Sequence, residues 1–144
     1  SPTSTRGGHR LKVTQARAGT EHNELCIGDM EDMRTDSAGL LENGISLILD
    51  TWKGANDDGL DFASIEHFIP HQVSMVYTRN FSKITGVGME RIPVSFPDWG
   101  GNVAAEAVPM TLAHHQEKIA RGGERVLLMG VGSGLNTAMM EVQW

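Results

Sequence analysis

"RVLLMGVGSGLNTAMMEVQW", Arg125 to Trp144, decides the class of fold. Arg125 to Met129 is a short, nearly continuous apolar run, which suits a strand buried on both faces. "GVGSG", Gly130 to Gly134, follows as a turn, and Leu135, Ala138, Met140 and Val142 then alternate imperfectly, as in a second strand. Just upstream, "ARGG" is a Gly-Gly helix stop. The chain therefore closes on helix, strand, turn and strand. The glycine turn does not make a phosphate loop, because no Lys-Ser/Thr pair ends it and a strand, not a helix, comes next. A tight turn whose glycines border a pocket fits better.

Working upstream, "IEHFIPHQVSMVY", Ile65 to Tyr77, gives an apolar strand stopped by Pro70. A helix is expected over residues 72–84, with Val73, Val76, Tyr77, Phe81 and Ile84 on its apolar side. Before it, "DSAGLLENGISLILDTW" repeats Leu41, Ile45, Ile48 and Trp52 at helical spacing, broadened by Leu40 and Leu47. Asp36 or Ser37 caps that helix and "KGANDDG" ends it in a loop. Gly39 and Gly44 each cost about 1 kcal/mol relative to Ala, which suggests close approach by another element.

A second long helix is expected over residues 103–120, with Ala104, Ala107, Val108, Leu112 and Ile119 inward. Pro109 predicts a bend or a displaced start there. A small strand is expected at Arg91 to Val94 and an edge strand in "HRLKVTQARA". "EHNELCIGDMEDMRTDS" reads as an irregular segment or short helix, packed through Leu25, Ile27, Met30 and Met33. Strand, helix, strand, helix, strand, strand is the order of an α/β layered domain. Residues 1–9 read as a polar, mobile lead-in and 10–144 as the domain.

At 144 residues, 40% hydrophobic and 21% charged, the chain can bury a real core. Its net charge of -6 argues against a broad nucleic-acid surface. The single cysteine, Cys26, forms no internal disulfide, so a reducing, cytoplasmic setting is expected. No apolar run reaches membrane-spanning length and no secretory leader is visible. The start at Ser1, without a methionine, is compatible with a processed end, an arbitrary boundary or the later part of a longer polypeptide.

His71 is the first candidate for chemistry. It follows a strand and a proline, near the sheet edge where open α/β folds place ligands. At a helix N-terminus its imidazole would stay neutral and could donate a hydrogen bond to a carbonyl oxygen. A polar turn residue bonded to backbone is the plain alternative. Asn102, after Gly100 and Gly101 in "WGGNVAAEAVP", could offer its amide to the same oxygen or merely cap a helix. Metal binding is not expected: His114 and His115 point to different helix faces, and no cysteine cluster exists. Acidic surroundings make Cys26 a poor nucleophile. No cofactor is implied.

"IPHQVSMV", "GNVAAEAVPMTL" and "RVLLMGVGSGLNTAMMEVQW" occur in that order. Together they resemble the C-terminal half of ketoacyl synthase III enzymes in the thiolase superfamily, nearest the OleA-type enzymes that join two fatty acyl-CoA molecules head to head. The resemblance covers roughly residues 10–144. It implies one half of a layered αβαβα fold that works as a homodimer, with acyl-CoA or acyl-ACP substrates. By the same resemblance His71 and Asn102 would bind the second thioester carbonyl. Gly101, Gly132, Ser133, Gly134 and Leu135 would border the pocket and its oxyanion hole. The nucleophilic cysteine belongs to the family's N-terminal half, so this chain would need a Cys-bearing segment or subunit as partner. Where the usual motif reads His-Gln-Ala-Asn, this chain has His71, Gln72, Val73 and Ser74.

Overall fold

The computed structural model describes residues 8–119 and 123–144. Residues 1–7 of the expected lead-in, Ala120 of the expected second helix and Gly122 of the glycine stop lie outside them. Strands β1 (Arg10–Ala18), β4 (His67–Pro70), β5 (Arg125–Gly132) and β6 (Asn136–Gln143) form one sheet, in the order β1-β6-β5-β4. β4 and β5 run parallel; β5–β6 and β6–β1 are antiparallel. β2 (Cys26–Gly28) and β3 (Met33–Thr35) make a separate two-stranded ribbon. The helices are α1 (Ser37–Asp57), α2 (Met75–Thr85), α3 (Ala107–His114) and the short α4 (Gln116–Ile119).

Strand alternation divides the core in two. Leu127, Met129 and Met139 face α1 and α2, where they meet Ile48, Phe68 and Phe81. Trp52 of α1 stacks on Phe62 at 3.7 Å and lies 5.9 Å from Phe68 between ring centroids. Val126 and Leu128 point the other way and pack with Ile69, Val108, Leu112 and Ile119 beneath α3 and α4. Even the polar groups on the α1 side are paired. Thr51 bonds Thr137, and Glu141, almost fully buried, accepts from Arg125 Nε at 2.7 Å.

Several local expectations need correction. α1 runs on through "KGAND" to Asp57, and at Gly54 a Cβ would sit 2.8 Å from Arg17 Nη2, the end of a β1 side chain. Asp36 does cap it, accepting from Gly39 N at 3.0 Å. Of the two glycines singled out, Gly39 lies against Leu25, but nothing stands within 4 Å of a Cβ on Gly44. α2 starts at Met75, not at residue 72, because Ser74 is its N-cap, with Oγ accepting from Tyr77 N at 3.1 Å. Val73, which precedes the cap, is exposed, as are Val76 and Ile84 on α2 and Leu41 on α1.

Arg91 to Val94 is not a strand; a 3-10 turn covers Met89–Arg91 and loop follows. The long second helix is instead a 3-10 turn (Ala104–Glu106), α3 and α4. Pro109 falls in the first turn of α3, where its missing N–H removes no helical bond, so the start is displaced rather than the helix bent. Ala104 is exposed, with φ 50. The segment before α1 holds the β2–β3 ribbon, and Ile27, Met30 and Met33 are exposed rather than packed inward. No helix among the described residues is long and apolar enough to cross a membrane.

Candidate active site

Pro70 ends β4, and the next backbone amide still follows the sheet: His71 N donates to Met129 O at 2.7 Å. In the parallel ladder His67 pairs with Val126 and Ile69 with Leu128, so His71, two residues on, falls on the α3 side of the sheet. Three residues separate it from the first residue of α2. Desolvation holds its imidazole below the ordinary histidine value.

His71 lines a cleft of about 540 Å³ on that face. The floor is the sheet itself. Leu128, Met140 and Thr14 form one cross-strand row, and Gly130, Ala138 and Ala16 form the next. Ala105 and Val108 bring the start of α3 to the rim. Gly132 also lines the cleft and packs closely on Asn136; a Cβ there would approach Asn136 Oδ1 to 2.7 Å. The open side of the sheet is thus largely apolar, with small residues at Gly130, Ala138 and Ala16, around one half-buried imidazole.

The other sequence candidates do not line this cleft. Asn102 is exposed, and its Oδ1 accepts from Ala104 N at 2.9 Å, an Asx turn that leads into the Ala105 rim. Gly101 precedes it. Ser133, Gly134 and Leu135 make the β5–β6 turn: Gly134 takes the left-handed conformation (φ 86), and Leu135 is buried and anchors Gly19 N at 2.8 Å. Cys26 lies on the β2–β3 ribbon, with Sγ 3.5 Å from Thr35 Oγ1, and does not line the cleft. Among the described residues no three His, Cys, Asp or Glu side chains are grouped to hold a metal ion.

Two features escaped sequence reading. Thr14, Ala16 and Asn136 line the cleft only because β1 pairs with β6, a long-range register that local pattern does not encode. Gln72 is buried, and its amide reaches a distant loop: Nε2 donates to Pro93 O at 2.7 Å, while Oε1 accepts from Ser95 N at 3.1 Å and Phe96 N at 3.3 Å. Its position beside a proline and a histidine was the only local sign. Ser74, by contrast, explains a motif difference: Ser and Asn are near-equal N-caps, so Ser satisfies the same end of α2.

Comparison with known proteins identifies the family. The family model described as 3-Oxoacyl-[acyl-carrier-protein (ACP)] synthase III C terminal matches residues 55–144. An acyl-CoA:acyl-CoA alkyltransferase of Xanthomonas campestris is 36% identical over 94% of this chain and 40% of its own length. Among solved structures, 3-oxoacyl-(acyl carrier protein) synthase III, FabH, of Xanthomonas oryzae superposes with a TM-score of 0.87 at 34% identity, over 97% of this chain and 42% of that one. A Cys-to-Ser variant of Xanthomonas campestris OleA with bound lauric acid and lauroyl-CoA gives the same TM-score, identity and coverage. The chain thus spans about two-fifths of the length of these relatives. With its thiolase-like α/β fold, the chain belongs to the family of 3-oxoacyl-ACP synthase III C-terminal domains.

Proposed function

We propose that this chain supplies the carbonyl-polarising wall of an acyl-condensing enzyme. The observation that carries the reading is His71: a half-buried imidazole of lowered pKa, held just after the end of β4 and lining a cleft floored in part by Gly130, Ala138 and Ala16. A neutral imidazole has one N–H to donate, and such a donor, once the completed fold closes the cleft, would stabilise oxyanion charge without reorganising. Asn102, at the entry to α3, would add its amide to the same oxygen.

The nucleophilic cysteine and the general base would come from a Cys-bearing segment or subunit outside this chain, and the completed fold would work as a dimer. A first acyl group is held as a thioester on that cysteine. The base removes the α-proton of a second acyl-CoA, and His71 and Asn102 hold the enolate oxygen. The enolate carbon then attacks the acyl-enzyme carbonyl; the carbon–carbon bond forms, the carbon–sulfur bond breaks, and the thiolate leaves a β-ketoacyl-CoA. The likeness to an acyl-CoA:acyl-CoA alkyltransferase over 94% of the chain supports this head-to-head, non-decarboxylative form. The likeness to FabH supports a second form, in which loss of CO2 from malonyl-ACP generates the enolate.

Product analysis separates the two. The complete protein is incubated with acyl-CoA alone, or with acyl-CoA and malonyl-ACP, and the products are weighed by mass spectrometry. A β-ketoacyl-CoA containing both fatty chains supports the head-to-head form; a chain two carbons longer, formed only with malonyl-ACP, replaces it. For His71→Ala, condensation should fall by about 100- to 1,000-fold while loading of the first acyl group persists. Unchanged condensation would remove the role given to His71, and unchanged activity in the double variant with Asn102→Ala would reduce the chain to a structural subunit.

A further inference from the structure

We infer that Gln72 is a positioning residue that locks the strand end bearing His71 to the loop that leads to Asn102. This deepens the proposed function and rests on the pairing of His71 with Asn102.

Gln72 follows His71 directly, so any displacement of its backbone is shared with the imidazole. Its side chain is 1% exposed, which makes the partners of its amide obligatory. All of them come from one loop: Pro93 O on one side, and the N–H groups of Ser95 and Phe96 on the other. Those two N–H groups sit at the start of the 3-10 turn Phe96–Trp99, whose first donors have no partner within the turn. Gln72 Oε1 therefore acts as a cap supplied from elsewhere in the sequence. Ser95, the residue before that turn, is itself fully buried but makes no side-chain cap bond.

From the turn the chain runs directly to the candidate amide. Trp99 is followed by Gly100 in the left-handed conformation (φ 71), Gly101 and Asn102. The loop is held at its far side as well, since Asp98 Oδ2 lies 3.4 Å from His114 Nε2 at the end of α3. Asn102 thus stands on a short connection between a turn clamped by Gln72 and the rim helix α3. One primary amide spans the two chain segments whose side chains must meet at a single oxygen. Glutamine suits this place because it both donates and accepts. Glutamate would keep the acceptor and set a carboxylate against Pro93 O; methionine would keep the volume and lose all three bonds.

The test compares Gln72→Met, Gln72→Glu and His71→Ala in the complete protein, measuring loading of the first acyl group and condensation separately. A misplacement of about 1 Å costs up to about 100-fold in a positioned reaction, so Gln72→Met should lose condensation on that scale. Loading should stay within about twofold, because it uses neither His71 nor Asn102, and Gln72→Glu should fall between Gln72→Met and wild type. Equal loss of loading and condensation, wild-type rates for both, or failure of both Gln72 variants to fold would each overturn the inference. Normal condensation by His71→Ala would overturn the reading of the site itself. Selective loss in His71→Ala alone would leave that reading standing and defeat the role of Gln72.

Discussion

The two faces of the four-stranded sheet use the same strands to opposite ends. On the α1 side, β5 and β6 present Leu127, Met129, Thr137, Met139 and Glu141, all buried, under α1 and α2. On the α3 side the same strands present Leu128, Gly130, Ala138 and Met140, and the helix covers only the β4–β5 end. One face is closed and polar-satisfied. The other is open, largely apolar and carries the half-buried His71. The larger core lies where α1 and α2 cover the sheet, and the proposed chemistry lies on the face they leave open.

The largest expected effect is on the closed face. Phe68 is fully buried beside Trp52, so Phe68→Ala should destabilise by about 3–5 kcal/mol, read from denaturant unfolding of the complete protein. A loss under 1 kcal/mol would break the division between faces. On the open face, Ala138→Leu adds volume to the cleft floor next to Gly130. It should leave the unfolding midpoint nearly unchanged and reduce condensation by about 10-fold or more. A large stability loss with normal activity would show instead that this floor is packing surface.

At the boundary between the faces, Ser74→Ala removes the cap of α2 and should cost about 1 kcal/mol, with Ser74→Asn close to neutral. The smallest effect concerns pH. Burial lowers the imidazoles of His71 and His115 in the native state. As pH falls, the unfolded chain takes up those protons first, near the ordinary value of about 6.5. Stability is therefore full above that value and declines as pH falls toward the lowered native ones. His71→Asn should flatten part of this slope in melting curves recorded between neutral and mildly acid pH. An unchanged slope would show that His71 contributes nothing to this pH dependence.

Period and punctuation made part of this fold legible. The run from Arg125 to Met129 and the helical repeat of Ile45, Ile48 and Trp52 lie where local pattern put them, but β5 runs on through Gly130–Gly132 and the turn is confined to Ser133, Gly134 and Leu135. Pattern failed where distant segments decide. α1 continues through an apparent loop, with the Arg17 and Gln15 side chains of β1 lying against Gly54. A 3-10 helix does cover Thr20–Leu25 in the segment before α1, but the β2–β3 ribbon after it is not legible from pattern, because Ile27 and Met33 face outward. In the site, His71 stood out through its strand-to-helix position and through family resemblance. Gln72 and the cleft floor did not, because their meaning depends on Pro93, Ser95 and the pairing of β1 with β6.

The most direct test of the central claim is a structure of the complete protein holding an unreactive acyl-CoA thioether ketone. The account predicts its carbonyl oxygen within about 2.6–3.2 Å of an imidazole nitrogen of His71, over the Gly130–Ala138 floor. A carbonyl bound elsewhere, with His71 covered and facing only protein, would contradict it.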